Sequence, residues 1–149
     1  MPIKAYEMQY VGDARISVLE ISPIKFEAKY YNQYKDLYHS CFYEMRKALD
    51  LQPYNCCDFL DECLTQNIFL LVIDSELIGA VSISDNEIDD LIVNERYQRM
   101  GFGKHLLRFA VNRLLLENKK PILNVADWNK GAILLYKNNG FIVNRTYEC

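Results

Sequence analysis

The sequence is poor in the features that mark membrane, secreted and metal-binding proteins. Its 149 residues contain no run of about 18 apolar side chains, which excludes a helix that spans a bilayer. The stretch from Met1 to Glu7 lacks the basic segment and apolar block of a secretory leader, so a cytoplasmic protein is expected. The five cysteines, Cys41, Cys56, Cys57, Cys63 and Cys149, form no C-x-x-C pair and have no histidine at zinc-ligand spacing. Reduced thiols and no metal are the expectation. His39 and His105 stand in no recognisable motif with a carboxylate, serine or cysteine, and no catalysis is assigned to them. Nor is there an excess of positive charge. Seventeen Lys and Arg against 20 Asp and Glu leave a net charge of -3, which argues against nucleic acid or an anionic membrane as the main partner. No repeat, low-complexity tract or linker divides the chain. With 50% apolar and 25% charged residues, residues 1–149 read as a single domain.

Tyrosine is abundant: 11 in all, eight of them within the first 54 residues. Residues 3–21 carry two β-rich stretches around Val11-Gly12-Asp13-Ala14 and predict a hairpin. Ile24 to Ala28 alternates apolar and charged side chains, as a half-buried strand does. From Asn32 the spacing becomes three and four. Tyr34, Leu37, Tyr38, Cys41, Phe42 and Met45 then share one face of an amphipathic helix, and Cys56, Phe59, Leu60 and Cys63 resume the period in a second. Three strands follow at Ile68 to Ile73, Leu77 to Ile83 and Glu87 to Val93, the first two joined by the turn Asp74-Ser75-Glu76. Next come a helix carrying Leu106, Leu107, Ala110, Val111 and Leu114, and a short strand from Ile122 to Val125. A last helix is capped by Asn129 and ended by Gly140, and a final strand starts at Phe141. This order predicts a mixed α/β sheet covered by helices.

The chemistry concentrates where the third of those strands runs into a helix. Gly101 and Gly103 stand two apart in the connecting loop, and unpaired amides at a helix start suit phosphate or pyrophosphate. From Arg96 to Leu116 there are five basic residues, Arg96, Arg99, Lys104, Arg108 and Arg113, and no acidic one. A polyanionic ligand is therefore expected at this end. For Arg108 and Arg113, deeper in the helix, a solvated face is expected. Two familiar phosphate loops are excluded by spacing. A P-loop needs a glycine five before Gly103 and Ser or Thr after Lys104, where Gln98 and His105 stand. A dinucleotide fingerprint needs a small residue where Leu106 stands.

The pattern present is Gln98-x-x-Gly101-x-Gly103 between a strand and a helix. Downstream stands a second block, Asn129-x-x-Ala132-x-x-Leu135-Tyr136-x-x-x-Gly140-Phe141. Together they resemble the GCN5-related N-acetyltransferase (GNAT) superfamily. The resemblance follows element order over about residues 24–143 and is sharp from Ile88 to Phe141. Residues 1–22 would be an extra N-terminal hairpin. The resemblance implies an α/β (α+β) fold with a mixed, mostly antiparallel central sheet, splayed near the coenzyme site and flanked by helices on both faces. It implies acetyl-CoA as co-substrate and direct transfer of acetyl to a primary amine of a small molecule or peptide, by a monomer or homodimer. A non-catalytic acyl-CoA-binding sensor or subunit is the alternative.

Residue by residue, the resemblance gives the pantetheine arm the backbone of Leu91, Ile92 and Val93, and the pyrophosphate the amides of Gln98, Arg99, Met100, Gly101, Phe102, Gly103 and Lys104. Asn129 would cap its helix first and touch the coenzyme second. Tyr136 takes the place of the general acid for the departing thiolate, although on pattern alone it equally fits the apolar stripe of Ala132 and Leu135. Asp89 or Glu87 would act as base, or both are ordinary charges at a sheet end. A base is useful, because neutralising a lysine-like amine at pH 7 costs roughly 4–5 kcal/mol. Tyr30, Tyr31 and Tyr54, at element ends in the acceptor-selecting region, would line the acceptor pocket.

Overall fold

The computed structural model describes residues 4–12, 21–48 and 67–148. Among the described residues, seven strands form one sheet: β1 (Lys4–Tyr10), β2 (Ile24–Lys25), β3 (Ile68–Ile73), β4 (Glu76–Ser84), β5 (Glu87–Val93), β6 (Ile122–Ala126) and β7 (Phe141–Glu148). Three helices are present among the described residues: α1 (Tyr31–Ala48), α2 (Phe102–Leu116) and α3 (Lys130–Asn138). The strand order is β2-β3-β4-β5-β6-β1-β7, and every pairing is antiparallel except β5 with β6. This is the mixed, mostly antiparallel sheet expected.

Period-two alternation decides which helix each strand residue meets. Ile68 and Leu70 of β3 turn to Tyr34 and Leu37 of α1, while Phe69 and Leu71 turn to Leu106, Leu107, Ala110 and Leu114 of α2. Helices therefore lie on both faces. Burying each of these large side chains contributes about 1.5–3 kcal/mol. The tight link between β3 and β4 is Asp74-Ser75, with φ of 51° and 65°, the left-handed pair that matches strand twist.

The N-terminal expectation needs correction. β1 does not form a hairpin with the segment after it; it lies between β6 and β7 and pairs with both, so each of its edges is already taken. Met8 and Tyr10 are accordingly buried with the α2 core. The expected second arm, residues 13–20, lies outside the described residues, as do the second early helix and Tyr54. The strand expected at Ile24 to Ala28 is only Ile24–Lys25, because a 3-10 turn at Ala28–Tyr30 leads directly into α1.

Two irregularities of β5 open a gap in the sheet and bend its edge. Its parallel register with β6 consists of Glu87 with Ile122 and Ile88 with Leu123, after which the strands part. On its other edge, Val81 faces Leu91 and Ile83 faces Ile88, so Asp89 and Asp90 together oppose Ser82. That extra residue is a β-bulge, which bends the strand and puts Ile88 and Leu91 on the same face.

Candidate active site

Where β5 leaves β6, the antiparallel ladder with β4 determines which peptide groups face the gap. The Asn94 amide donates to the Ile78 carbonyl, and the ladder continues through Gly79 with Val93, Ala80 with Ile92 and Val81 with Leu91. Alternation then turns the N–H and C=O of Leu91 and Val93 away from β4, into the gap, and those of Ile92 towards β4. The Ile92 carbonyl indeed lies against Gly79, and the Ile92 side chain is buried under α1. The sequence reading of three equivalent residues thus reduces to two, Leu91 and Val93. The Val93 carbonyl accepts from Gln98 Nε2 at 3.2 Å and from Cys41 Sγ at 3.8 Å.

A cavity of about 620 Å³ fills the gap and runs to the start of α2, with Leu91 and Val93 at one side and Gln98, Arg99, Gly101, Gly103 and Lys104 at the end. The loop reaches the left-handed region at Arg99 (φ 66°) and Gly101 (φ 89°), a conformation that turns successive amides towards one concavity. Gly101 directly precedes α2, so the free amides of the first turn face the same space. Met100 is 64% exposed, and the Phe102 ring packs edge-on to Tyr97, so neither side chain belongs to the wall. The basic run divides. Arg96 pairs with Glu76 at 3.4 Å, Arg108 Nε donates to Asn139 Oδ1 at 3.2 Å, and Arg113 lies over the Phe69 ring at 4.6 Å. Arg108 and Arg113 are therefore not a solvated face. Arg99 and Lys104 line the cavity.

The opposite wall comes from the start of α3: Asn129, Gly131, Ala132, Leu135 and Tyr136. Asn129 is a helix cap, its Oδ1 accepting from the Ala132 amide at 3.3 Å. Tyr136 lies half-buried beside Phe141, and desolvation pushes its phenol up to about 12. Asn139 locks the end of this helix from inside, donating through Nδ2 to the Leu135 carbonyl at 2.7 Å and accepting from Arg108. Sequence reasoning missed this link between α2 and α3, since neither residue belongs to a motif.

The carboxylates expected as bases line neither this cavity nor the next. Glu87 Oε2 accepts from Asn124 Nδ2 at 3.2 Å, on the α1 face of the sheet. Asp89 sits in the bulge, just past the last pairing of β5 with β6, where the two strands diverge. Desolvation first, then its hydrogen bond and repulsion with Glu87, raise the Asp89 carboxyl to about 7. Burial alone raises Asp90.

A second cavity of about 490 Å³ meets the first at Leu91, Val93, Gln98 and Asn129. It is completed by Ser40, Cys41 and Phe42 of α1, Ile92 and Glu95. None of these five carried a side-chain role in the sequence reading; the helical period placed only Cys41 and Phe42 on one face. Tyr30, by contrast, is 8% exposed and packs in the core under α1, and Tyr31 lines neither cavity. Tyr54 lies outside the described residues. No group of three metal-ligating side chains occurs among the described residues, and none of their helices is long and apolar enough to cross a membrane.

Known proteins share this architecture. A GNAT-family acetyltransferase from Colwellia psychrerythraea superposes with a TM-score of 0.73 at 13% identity, over 98% of this chain and 56% of its own. An N-acetyltransferase from Staphylococcus aureus Mu50 gives 0.67 at 15% identity, over 85% and 97%. Naa50 of Arabidopsis thaliana, solved with the bisubstrate analogue CoA-Ac-MVNAL, gives 0.58 at 21% identity, over 82% and 83%. The chain spans between 50% and 62% of the length of the first structures it matches. At such identities each likeness is one of fold. The sequence model of the acetyltransferase (GNAT) family, however, matches residues 31–141, a span that holds the parted strands, the glycine loop and Tyr136 together, and the chain belongs to that family.

Proposed function

We propose that the protein is an acetyl-CoA-dependent N-acetyltransferase that transfers acetyl directly to a primary amine. GNAT enzymes use acyl-CoA and acetylate amines. The observation that carries the reading is the meeting of two cavities along the β6-facing edge of β5 at Leu91 and Val93, one ending in a phosphate loop and the other open to α1. The first fits the coenzyme. Its open backbone groups suit the amides of a pantetheine arm, and its amides, Arg99 and Lys104 suit a pyrophosphate. When bound there, the coenzyme supplies an activated acetyl thioester.

The residues of this chain supply orientation and proton control. Leu91 and Val93 align one substrate with the end of the other cavity, which converts an encounter into a positioned reaction. The attacking nitrogen must be neutral, and the Asp89 carboxyl, raised to about 7 by burial and by Glu87 but outside both cavities, is suited to take its proton through water at neutral pH. The Tyr136 phenol stays protonated across the working range and donates a hydrogen bond to the sulfur as negative charge develops there. Burial likewise raises the Cys41 thiol, which disfavours a thiolate nucleophile and supports direct transfer. A desolvated phenol in the wall of the coenzyme cavity supports catalysis over sensing alone.

The test is release of free thiol from acetyl-CoA in the presence of an amine panel, with the acetylated amine identified by mass. Amine-dependent release is expected. Binding of acetyl-CoA with no turnover of any amine would instead support a sensor.

A further inference from the structure

The hydroxyl of Tyr136 has no hydrogen-bond partner among the described residues, so its aim depends on how the ring packs. That ring meets Phe141 with centroids 6.1 Å apart, and Phe141 in turn meets Tyr10 near edge-on at 5.6 Å. Three rings therefore run from β1 through β7 to the wall of the coenzyme cavity, where only Tyr136 is a lining residue. The far end of the row is fixed. Tyr10 is 6% exposed, its amide donates to the Pro121 carbonyl at 3.0 Å, and the Val11 amide donates to the Gly140 carbonyl at 2.9 Å. The Tyr10 ring also closes over two glycines. A side chain at Gly12 would collide with its hydroxyl, and one at Gly140 would start 2.7 Å from its edge. At Gly140, with φ of 95°, the chain turns out of the helix that carries Tyr136, so the Tyr10 ring bears on the end of α3 as well as on Phe141. Among the described residues β7 joins the sheet only through β1, whose register sets Tyr10 opposite Phe141. β1 lies before residue 31, where the match to the family model begins, so the family pattern does not supply this support.

We infer that Tyr10 is a positioning residue: acting through Phe141, it sets the angle at which the Tyr136 hydroxyl enters the coenzyme cavity, and the N-terminal strand thereby governs the rate of acyl transfer. This rests on the reading of Tyr136 as the donor to the departing sulfur. Tyr10 and Phe141 line neither cavity, so the loss of the Tyr10 ring acts on turnover and not on binding. A smaller side chain at Tyr10 leaves a gap beside Phe141, and the two remaining rings move to fill part of it.

The experiment compares wild type, Tyr10→Leu and Tyr10→Phe, each with and without Tyr136→Phe. Turnover is read as thiol release from acetyl-CoA with the fastest amine among spermidine, an aminoglycoside, phenylalanine and a short peptide, and coenzyme affinity by calorimetry. Tyr10→Leu should lower kcat by about 10-fold and leave the coenzyme dissociation constant unchanged. Tyr10→Phe, which keeps the ring, should restore most of the rate. In the Tyr136→Phe background Tyr10→Leu should change kcat by no more than about twofold, because the group it positions is already gone. In the free protein, the ring resonances of Tyr136, assigned by their loss in Tyr136→Phe, should shift in Tyr10→Leu and return in Tyr10→Phe. An unchanged kcat or unshifted Tyr136 resonances in Tyr10→Leu would overturn the inference. So would an equal loss of kcat in both backgrounds, the mark of a merely structural role, or a Tyr10→Phe as slow as Tyr10→Leu. Should Tyr10→Leu fail to fold, Phe141→Leu breaks the same row one ring later and carries the same predictions. An unchanged kcat in Tyr136→Phe would instead overturn the reading of Tyr136 as donor, and turnover of no amine in the panel would overturn the acetyltransferase reading.

Discussion

The two cavities that meet at Leu91 and Val93 are built by different means. The phosphate-loop cavity takes its walls from short contiguous stretches, 91–104 and 129–136, and much of its chemistry is backbone: open strand edges, left-handed turns and a helix start. The α1 cavity is assembled from side chains that are distant in sequence, as Cys41 and Val93, 52 positions apart, illustrate. Backbone geometry suits a ligand common to a whole family. Side chains carried on a separate helix can change without disturbing it, so the acceptor is where members of one fold diverge.

The contrast breaks most visibly at the phosphate loop. Gly101 has φ of 89° and nothing within 4 Å of where a side chain would start, so space is not limiting. Aspartate tolerates that backbone better than most residues, yet its carboxylate would face phosphate; Gly101→Asp is expected to weaken coenzyme affinity by about 100-fold or more, with Gly101→Asn as uncharged control. Calorimetric titration with coenzyme A checks this. Tyr136→Phe should lower kcat by roughly 100-fold, within the usual range for loss of a proton donor, and leave the coenzyme dissociation constant unchanged. Steady-state and binding measurements on the same preparation separate the two.

Asp89, which lines neither cavity, tests whether a carboxyl outside them takes the amine proton through water. If its carboxylate takes the amine proton, wild-type turnover rises as pH increases through about 7, and Asp89→Asn loses that limb. Stability has the opposite slope. The folded state raises this carboxyl from 3.8 to about 7, so it binds more protons than the unfolded state between those values, and its contribution to stability is lost as pH rises through that window. Asp89→Asn should therefore raise Tm at pH 8 and leave it nearly unchanged at pH 3.5, as thermal denaturation at the two values would reveal. The smallest effect is structural. Asn139→Ala removes the side-chain bonds to Leu135 and Arg108 and should cost about 1–3 kcal/mol in denaturant unfolding.

Legibility in the sequence divides along the same line. The strands from Ile68 to Val93, the helix beginning at Phe102 and the Asn129 cap were legible because period, turn residues and caps are local signals. The place of β1 was not, since strand pairing with β6 and β7 depends on contacts far along the chain and a turn-like Val11-Gly12-Asp13 suggests a nearer partner. The glycine loop was legible as a motif, but the two-residue alternation that turns Ile92 away from the gap appears only once the ladder with β4 is known. Tyr30 read as a pocket residue because it ends an element; the 3-10 turn before α1 rotates it into the core instead. Glu95 escaped notice as the residue just before an acid-free basic run.

Whether the coenzyme lies along the β6-facing edge of β5 is tested most directly by amide hydrogen exchange at Leu91, Ile92 and Val93. The Ile92 amide, bonded to β4, should be protected with or without ligand. The Leu91 and Val93 amides should exchange readily in the free protein and become protected when acetyl-CoA is added to saturation. Unchanged exchange at both under saturating acetyl-CoA would contradict that placement.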